Sequence, residues 1–249
     1  MLGAQATQTI IVLLFVLIIV ACNPFMDEVV EYPVGLGSYL ETGYYAITPE
    51  TILASLDRGE TKIFMPLLAT PEANLFPSGS FPWRQQDYLK IANALSRFVW
   101  KDTLEDWKLY KMDFDKDCND NPVGFDDAQI TYFKTEGEQY TTREVDIYPL
   151  SKEVDWGGGD THFPRPFFGW KSIDLEKLQV SADDALQIAE TNGGKQARLA
   201  VKNECKILVV VAPNINHDSW DVGYYSGATT LFEMLVDPYS GSYRIISGQ

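Results

Sequence analysis

The residues best spaced for chemistry lie in Asp113-Phe114-Asp115-Lys116-Asp117-Cys118-Asn119-Asp120-Asn121. From Asp115, Asp117 and Asn119 follow at the D-x-D-x-N spacing of a calcium loop, and Asp126 stands at the twelfth position. Such a set suits a hard cation, because carboxylate and amide oxygens replace its water shell. Asp120, however, stands where a glycine makes the sharp turn, Asp126 is shorter than the usual bidentate Glu, and no helix leads in. The other reading is an acidic loop of Asx turns between strands. A second candidate is aromatic. Trp156, His162, Phe163, Phe167, Phe168 and Trp170 fall in a Gly/Pro-rich stretch. Their rings could stack on a sugar or grip a peptide, or the stretch could fold back and plug a seam. Catalysis has less support. The two histidines are His162 and His217, and Ser226-Gly227 lacks the surroundings of a nucleophile elbow. Gly157-Gly158-Gly159 leads to Asp160 and no helix, so no phosphate cradle forms and no cofactor is expected. Without a CxxC pair or Cys/His cluster, a structural zinc site is not expected either.

The whole chain bounds these readings. Its 249 residues are 45% hydrophobic, enough for a real core in one large domain or two small ones. The formal net charge is -15, and no charged residue precedes Asp27. An acidic surface repels phosphate backbones, so nucleic acid is not an expected partner. The same acidity keeps an exposed domain soluble.

Ile10 to Ala21 is almost uniformly apolar and runs directly into Cys22. About 12 residues are short for a bilayer span, which takes about 20, and suit a signal-peptide core. The ending Ile19-Val20-Ala21-Cys22, then Asn23-Pro24, resembles a bacterial lipobox: branched residues, a small residue before the cut, and the cysteine that takes the lipid. The resemblance implies lipidation at Cys22 and a lipid-anchored protein on the extracytoplasmic side of a cell membrane. Met1 to Thr9 carry no Lys or Arg, which leaves an uncleaved anchor or an ordinary buried segment as the other readings. With Cys22 assigned to lipid, Cys118 and Cys205 remain, in a compartment that tolerates disulfides. A bridge between them closes a loop of about 88 residues, for which chain entropy gives up to about 4.5 kcal/mol. The alternative is two separate thiols.

The elements that must position these residues follow from periodicity. Phe25 to Tyr45 reads as a tether. Thr48-Pro49-Glu50 opens a helix with Ile52, Leu53 and Leu56 on its buried face and Gly59 at its end. Lys62 to Leu68 reads as an edge strand. Tyr88, Ile91, Ala92, Leu95, Phe98 and Val99 form one stripe of a helix from about Pro82 to Trp100. Strands are expected over Trp107 to Phe114, Ala128 to Thr135 and Arg143 to Leu150, and a linker over Asp155 to Ser172. Ser181 and Asp184 form a capping box for a helix whose face is Ala182, Ala185, Leu186 and Ala189, with Gly193-Gly194 as its exit. Strands then follow over Ala197 to Val201, Cys205 to Ala212, Ser219 to Ser226, Thr229 to Val236 and Ser242 to Ile246. Helix, strand, cysteine, strands occurs twice. The expected fold is therefore α+β, two related units each with a helix on an antiparallel sheet. The expected divisions are 1–21 signal peptide, 22–47 tether, 48–154 first unit, 155–172 linker and 173–249 second unit.

The second unit carries a family resemblance. Val180-Ser181-Ala182-Asp183-Asp184-Ala185-Leu186-Gln187-Ile188-Ala189, then Trp220-Asp221-Val222, then Val236-Asp237-Pro238-Tyr239-Ser240-Gly241, is similar to a PepSY-type domain. That family joins a Ser/Thr-x-x-x-Ala helix to a strand with a central tryptophan and a closing Asp-x-x-x-Gly turn. The resemblance implies a cystatin-like α+β module of the kind found in peptidase propeptides and envelope lipoproteins, which bind or inhibit without chemistry of their own. The expected function is thus a lipid-anchored binding or interaction protein with a protein or peptide partner. A structural subunit of an envelope complex is the first alternative, and a hydrolase with an unrecognised site the second.

Overall fold

The computed structural model describes residues 28–31, 49–59, 79–101, 104–119, 126–136, 139–149, 153–161, 171–213 and 218–248. Strand β1 is Glu28–Glu31, helix α1 Pro49–Asp57 and helix α2 Gln85–Val99. Strands β2 (Lys108–Asp117), β3 (Asp126–Glu136), β4 (Gln139–Tyr148) and β5 (Glu153–Thr161) follow. Helix α3 (Ala182–Ala189) kinks through Glu190–Gly194 into α4 (Lys195–Ala200). Strands β6 (Lys206–Val211), β7 (Trp220–Ser226), β8 (Thr229–Val236) and β9 (Tyr243–Ser247) complete the chain. Among the described residues, the nine strands form one open antiparallel sheet in the order β1-β5-β4-β3-β2-β6-β7-β8-β9. The fold is α+β.

The helices lie on one face because their apolar stripes match the inward rows of the strands. On α2, Tyr88, Ile91, Ala92 and Leu95 are fully buried, and α3 lays Ala182, Ala185, Leu186 and Ala189 onto β6, β7 and β8. The alanines give α3 close approach to the sheet, since a methyl adds little height. Phe114 on β2 links α2 to β7 within the core. Its ring lies 5.2 Å from Phe81, 5.4 Å from Tyr88 and 6.4 Å from Trp220. Trp220 is fully buried and its indole Nε1 donates to Val180 O at 2.9 Å, which satisfies its one polar group.

Helices α2 and α3 cap each other. Ser181 and Asp184 form the expected box: Asp184 N donates to Ser181 Oγ (3.2 Å) and Ser181 N to Asp184 Oδ2 (3.0 Å). Arg84, at the N-cap of α2, makes no side-chain cap. Instead Gln85 N donates to Asp183 Oδ2 (2.9 Å), and Ala182 N donates to Gln85 Oε1 (2.7 Å). Each helix start thus satisfies an orphan N–H of the other.

Four expectations are corrected. Gly193, at φ +137°, does bend the chain, but the backbone re-enters a helix, so Ala197 to Ala200 is α4 and no strand. The reason is a buried pair. Arg198 donates twice to Glu190 Oε2 (3.0 and 2.8 Å) and once to Oε1 (3.0 Å), Tyr224 Oη donates to Glu190 Oε1 (2.7 Å), and Arg198 Nη1 donates to Asn203 Oδ1 (3.0 Å). A Cβ on Gly194 would stand 2.5 Å from the Tyr224 ring, so this network requires glycine at its closest approach. Second, the linker from Asp155 contains the end of β5: Gly157, Gly158 and Gly159 pair with Glu144, Arg143 and Thr142. Neighbouring ladders on both sides offset the entropy of the glycine run. Third, the tether contributes β1, which pairs Glu28 with Asp160 and Glu31 with Gly157. Fourth, β2 continues three residues past Phe114, to Asp117. The strand expected over Lys62 to Leu68 lies outside the described residues, as do Cys22 and the rest of the lipobox.

Candidate functional site

The face of the sheet opposite the helices carries the most concentrated chemistry. It arises from simple alternation. On β2, Met112, Phe114 and Lys116 turn inward, leaving Lys111, Asp113, Asp115 and Asp117 on the other side. On β3, Ala128 and Ile130 are inward and Asp127, Gln129 and Thr131 outward; on β4, Val145 and Ile147 are inward and Glu144 and Asp146 outward. Register then aligns two rows. One runs Asp146, Gln129, Asp113, Val210, Asp221, Leu235 across six strands. The next runs Asp127, Asp115, Leu208, Gly223, Glu233.

Asp115 and Asp127 face each other directly, an arrangement that disfavours two charges. Burial pushes the Asp127 carboxyl up to about 7, and the charges of Asp146, Asp113, Asp115 and Glu144 add to the effect. Burial also raises Asp115, against the pull of Lys206 and with help from Asp113 and Asp117. Asp221 is pushed up to about 6 by burial and then by Glu233. Lys111 relieves one edge of the cluster: its Nζ lies 2.7 Å from Asp113 Oδ2 and donates to Gln129 Oε1 at 2.9 Å. The Oδ1 atoms of Asp115, Asp127 and Asp221 accept no hydrogen bond among the described residues. The face therefore holds protons that free carboxyls would have released.

Of the stretch that holds the expected calcium residues, 120–125 lie outside the described residues. Asp115 and Asp117 lie in extended β2, so their Cα atoms are about 6.6 Å apart along the strand. Asn119 follows Cys118, and Asp126 begins β3 with its side chain outside the described set. Among the described residues, no group of three or more His, Cys, Asp or Glu is placed to hold a metal ion. The aromatic candidates are split. Trp156 stands on β5, paired with Val145 and only 9% exposed, and packs in the core. Phe167, Phe168, Trp170 and both histidines lie outside the described residues. Asp127, Asp146, Asp221 and Glu233 were invisible as a group in the sequence, because only the register brings them to one face. The available signal was the Asp113-x-Asp115-x-Asp117 alternation.

Cys118 and Cys205 are bonded, S–S 2.03 Å, with Cα atoms 5.2 Å apart. Cys118 follows β2 and Cys205 precedes β6, so the bridge sits at the end of the ladder that joins the two halves of the sheet. Cys118 N donates to Cys205 O at 2.8 Å beside it. Among the described residues, no helix is long and apolar enough to cross a membrane. No known protein family, curated protein or solved structure matches the chain. What fold and site define is an α+β protein with one open antiparallel sheet, helices on one face and carboxylates on the other.

Proposed function

We propose that the chain is a lipid-anchored, extracytoplasmic binding or interaction protein without catalytic activity, carried to the membrane by a lipid on Cys22. The observation that carries the reading is the bridge at the seam. A fully buried Cys118 bonded to Cys205 fits an oxidising compartment, the side of the membrane to which a lipobox delivers its protein. Two related units, 48–154 and 173–249, build the binding scaffold. In support, α2 precedes the meander β2–β5 and α3 precedes the meander β6–β9, and the sheet order runs outward from the β2–β6 ladder in both directions. The second unit is PepSY-like: Ser181 caps its helix, Trp220 anchors its core, and Asp237 Oδ1 accepts from Tyr239 N and Ser240 N in the closing turn.

Pull-down from crosslinked native membranes tests the reading, comparing the wild type with Cys22→Ser. The same partner recovered reciprocally with wild type, and lost when Cys22→Ser moves to the soluble fraction, is the expected result. Wild type found wholly soluble contradicts it. A second reading, a structural subunit of an envelope complex, is favoured by the last strand, where Tyr243, Ile245 and Ile246 are 45–48% exposed. A detergent-extracted particle of fixed stoichiometry, purified with the protein, would select that reading.

A further inference from the structure

We propose that β1 sets the sheet edge-on to the membrane, with the β1–β5 edge at the lipid surface and β9 as the distal rim. The inference rests on lipidation at Cys22. Five residues, Asn23 to Asp27, separate Cys22 from Glu28. Six Cα steps span at most about 20 Å, so the lipid cannot be farther than that from the start of β1. Glu28 is paired with Asp160, next to the last residue of β5. The same end of the sheet carries the start of β4, where Tyr140 pairs with Thr161. The corner formed by Glu28, Asp160 and Tyr140 is thus leashed to the bilayer.

Without β1, the first described element would be α1 at Pro49, and a chain of 27 steps could reach about 90 Å, too long to orient anything. By pairing with β5, the tether shortens the leash and covers a strand edge that would otherwise be open to other chains. Nine strands at about 4.8 Å spacing place β9 roughly 38 Å from β1.

The test uses full-length lipidated protein in phosphatidylcholine vesicles containing a lipid with a nitroxide on its headgroup. Single fluorophores are attached at Asp160→Cys, at Gln139→Cys as a second proximal site, and at Arg244→Cys on β9. Quenching several-fold deeper at 160 and 139 than at 244 is expected. A flexible Gly/Ser insert of about 20 residues after Asn23 should bring the ratio down toward one, because the leash then no longer orients the sheet. Equal quenching at all three sites in protein verified as lipidated overturns the pose and leaves the anchor standing. An unlipidated N-terminus overturns the anchor itself.

Discussion

Removing Arg198 would strand a carboxylate. The side chains of Arg198 and Glu190 are 6% and 9% exposed, and Tyr224 also donates to Glu190. Their mutual attraction offsets the cost of desolvating both, so loss of one partner leaves an uncompensated buried charge. Arg198→Ala should therefore cost about 3–5 kcal/mol in chemical denaturation, whereas Arg198→Ala combined with Glu190→Gln should recover part of it. A cost for Arg198→Ala below about 1 kcal/mol would place the pair outside the stability of the fold.

Asp127 gives a second residue-scale prediction, with a definite sign. Burial holds its carboxyl at about 7 in the folded protein, well above the ordinary carboxylate range. The folded state therefore holds a proton that the unfolded chain loses first, and stability from this group is complete below the unfolded value and is lost as pH rises through about 7. Asp221, at about 6, acts in the same direction. Asp127→Asn should change the urea midpoint little near pH 4 and raise it near pH 8, so the difference between the two proteins grows with pH. A constant difference across that range would contradict the argument.

At the scale of elements, the helices were the most legible part of the sequence. Helix α2 showed its stripe and α3 its capping box, because both signals are local and depend on spacing alone. Ser181→Ala should cost about 1 kcal/mol, read as a lower denaturation midpoint, since it removes the acceptor for Asp184 N. What failed had longer-range causes. Gly193 reads as a helix exit locally, yet Glu190 and Arg198, eight residues apart, draw the chain back into α4. Gly157 to Gly159 reads as a linker, yet β4 and β1 supply partners from elsewhere in the chain. The D-x-D-x-N spacing has two readings, since a β-strand also places alternate residues on one side and β2 is such a strand, while residues 120–125 lie outside the described residues. The acidic face was hidden for the same reason: Asp113, Asp127, Asp146 and Asp221 come from four strands, and only their register makes them neighbours.

For the whole molecule, the arrangement hinges on the β2–β6 ladder. Six residue pairs, Met112 with Val211 through Asp117 with Lys206, join the first meander to the second, and the cysteines close that ladder at its end. Phe114 carries the same junction into the core through Tyr88 and Trp220. Cys118→Ser with Cys205→Ser should lower stability by about 2–5 kcal/mol, because the bridge restrains a long loop in the unfolded chain. Unfolding of oxidised and reduced wild type in denaturant should show the same gap; coincident curves would deny the bridge a stabilising role. The leftover pair of cysteines made this link legible in advance, once Cys22 was assigned to lipid.

That assignment is the central claim, since location, anchoring and the pose of the sheet all follow from it. Intact-mass analysis of the protein extracted from its native membrane tests it most directly. The account predicts a chain that begins at Cys22 and carries the added mass of a diacylglyceryl group, with or without a further acyl chain. A chain that retains Met1 and carries no lipid mass would contradict it.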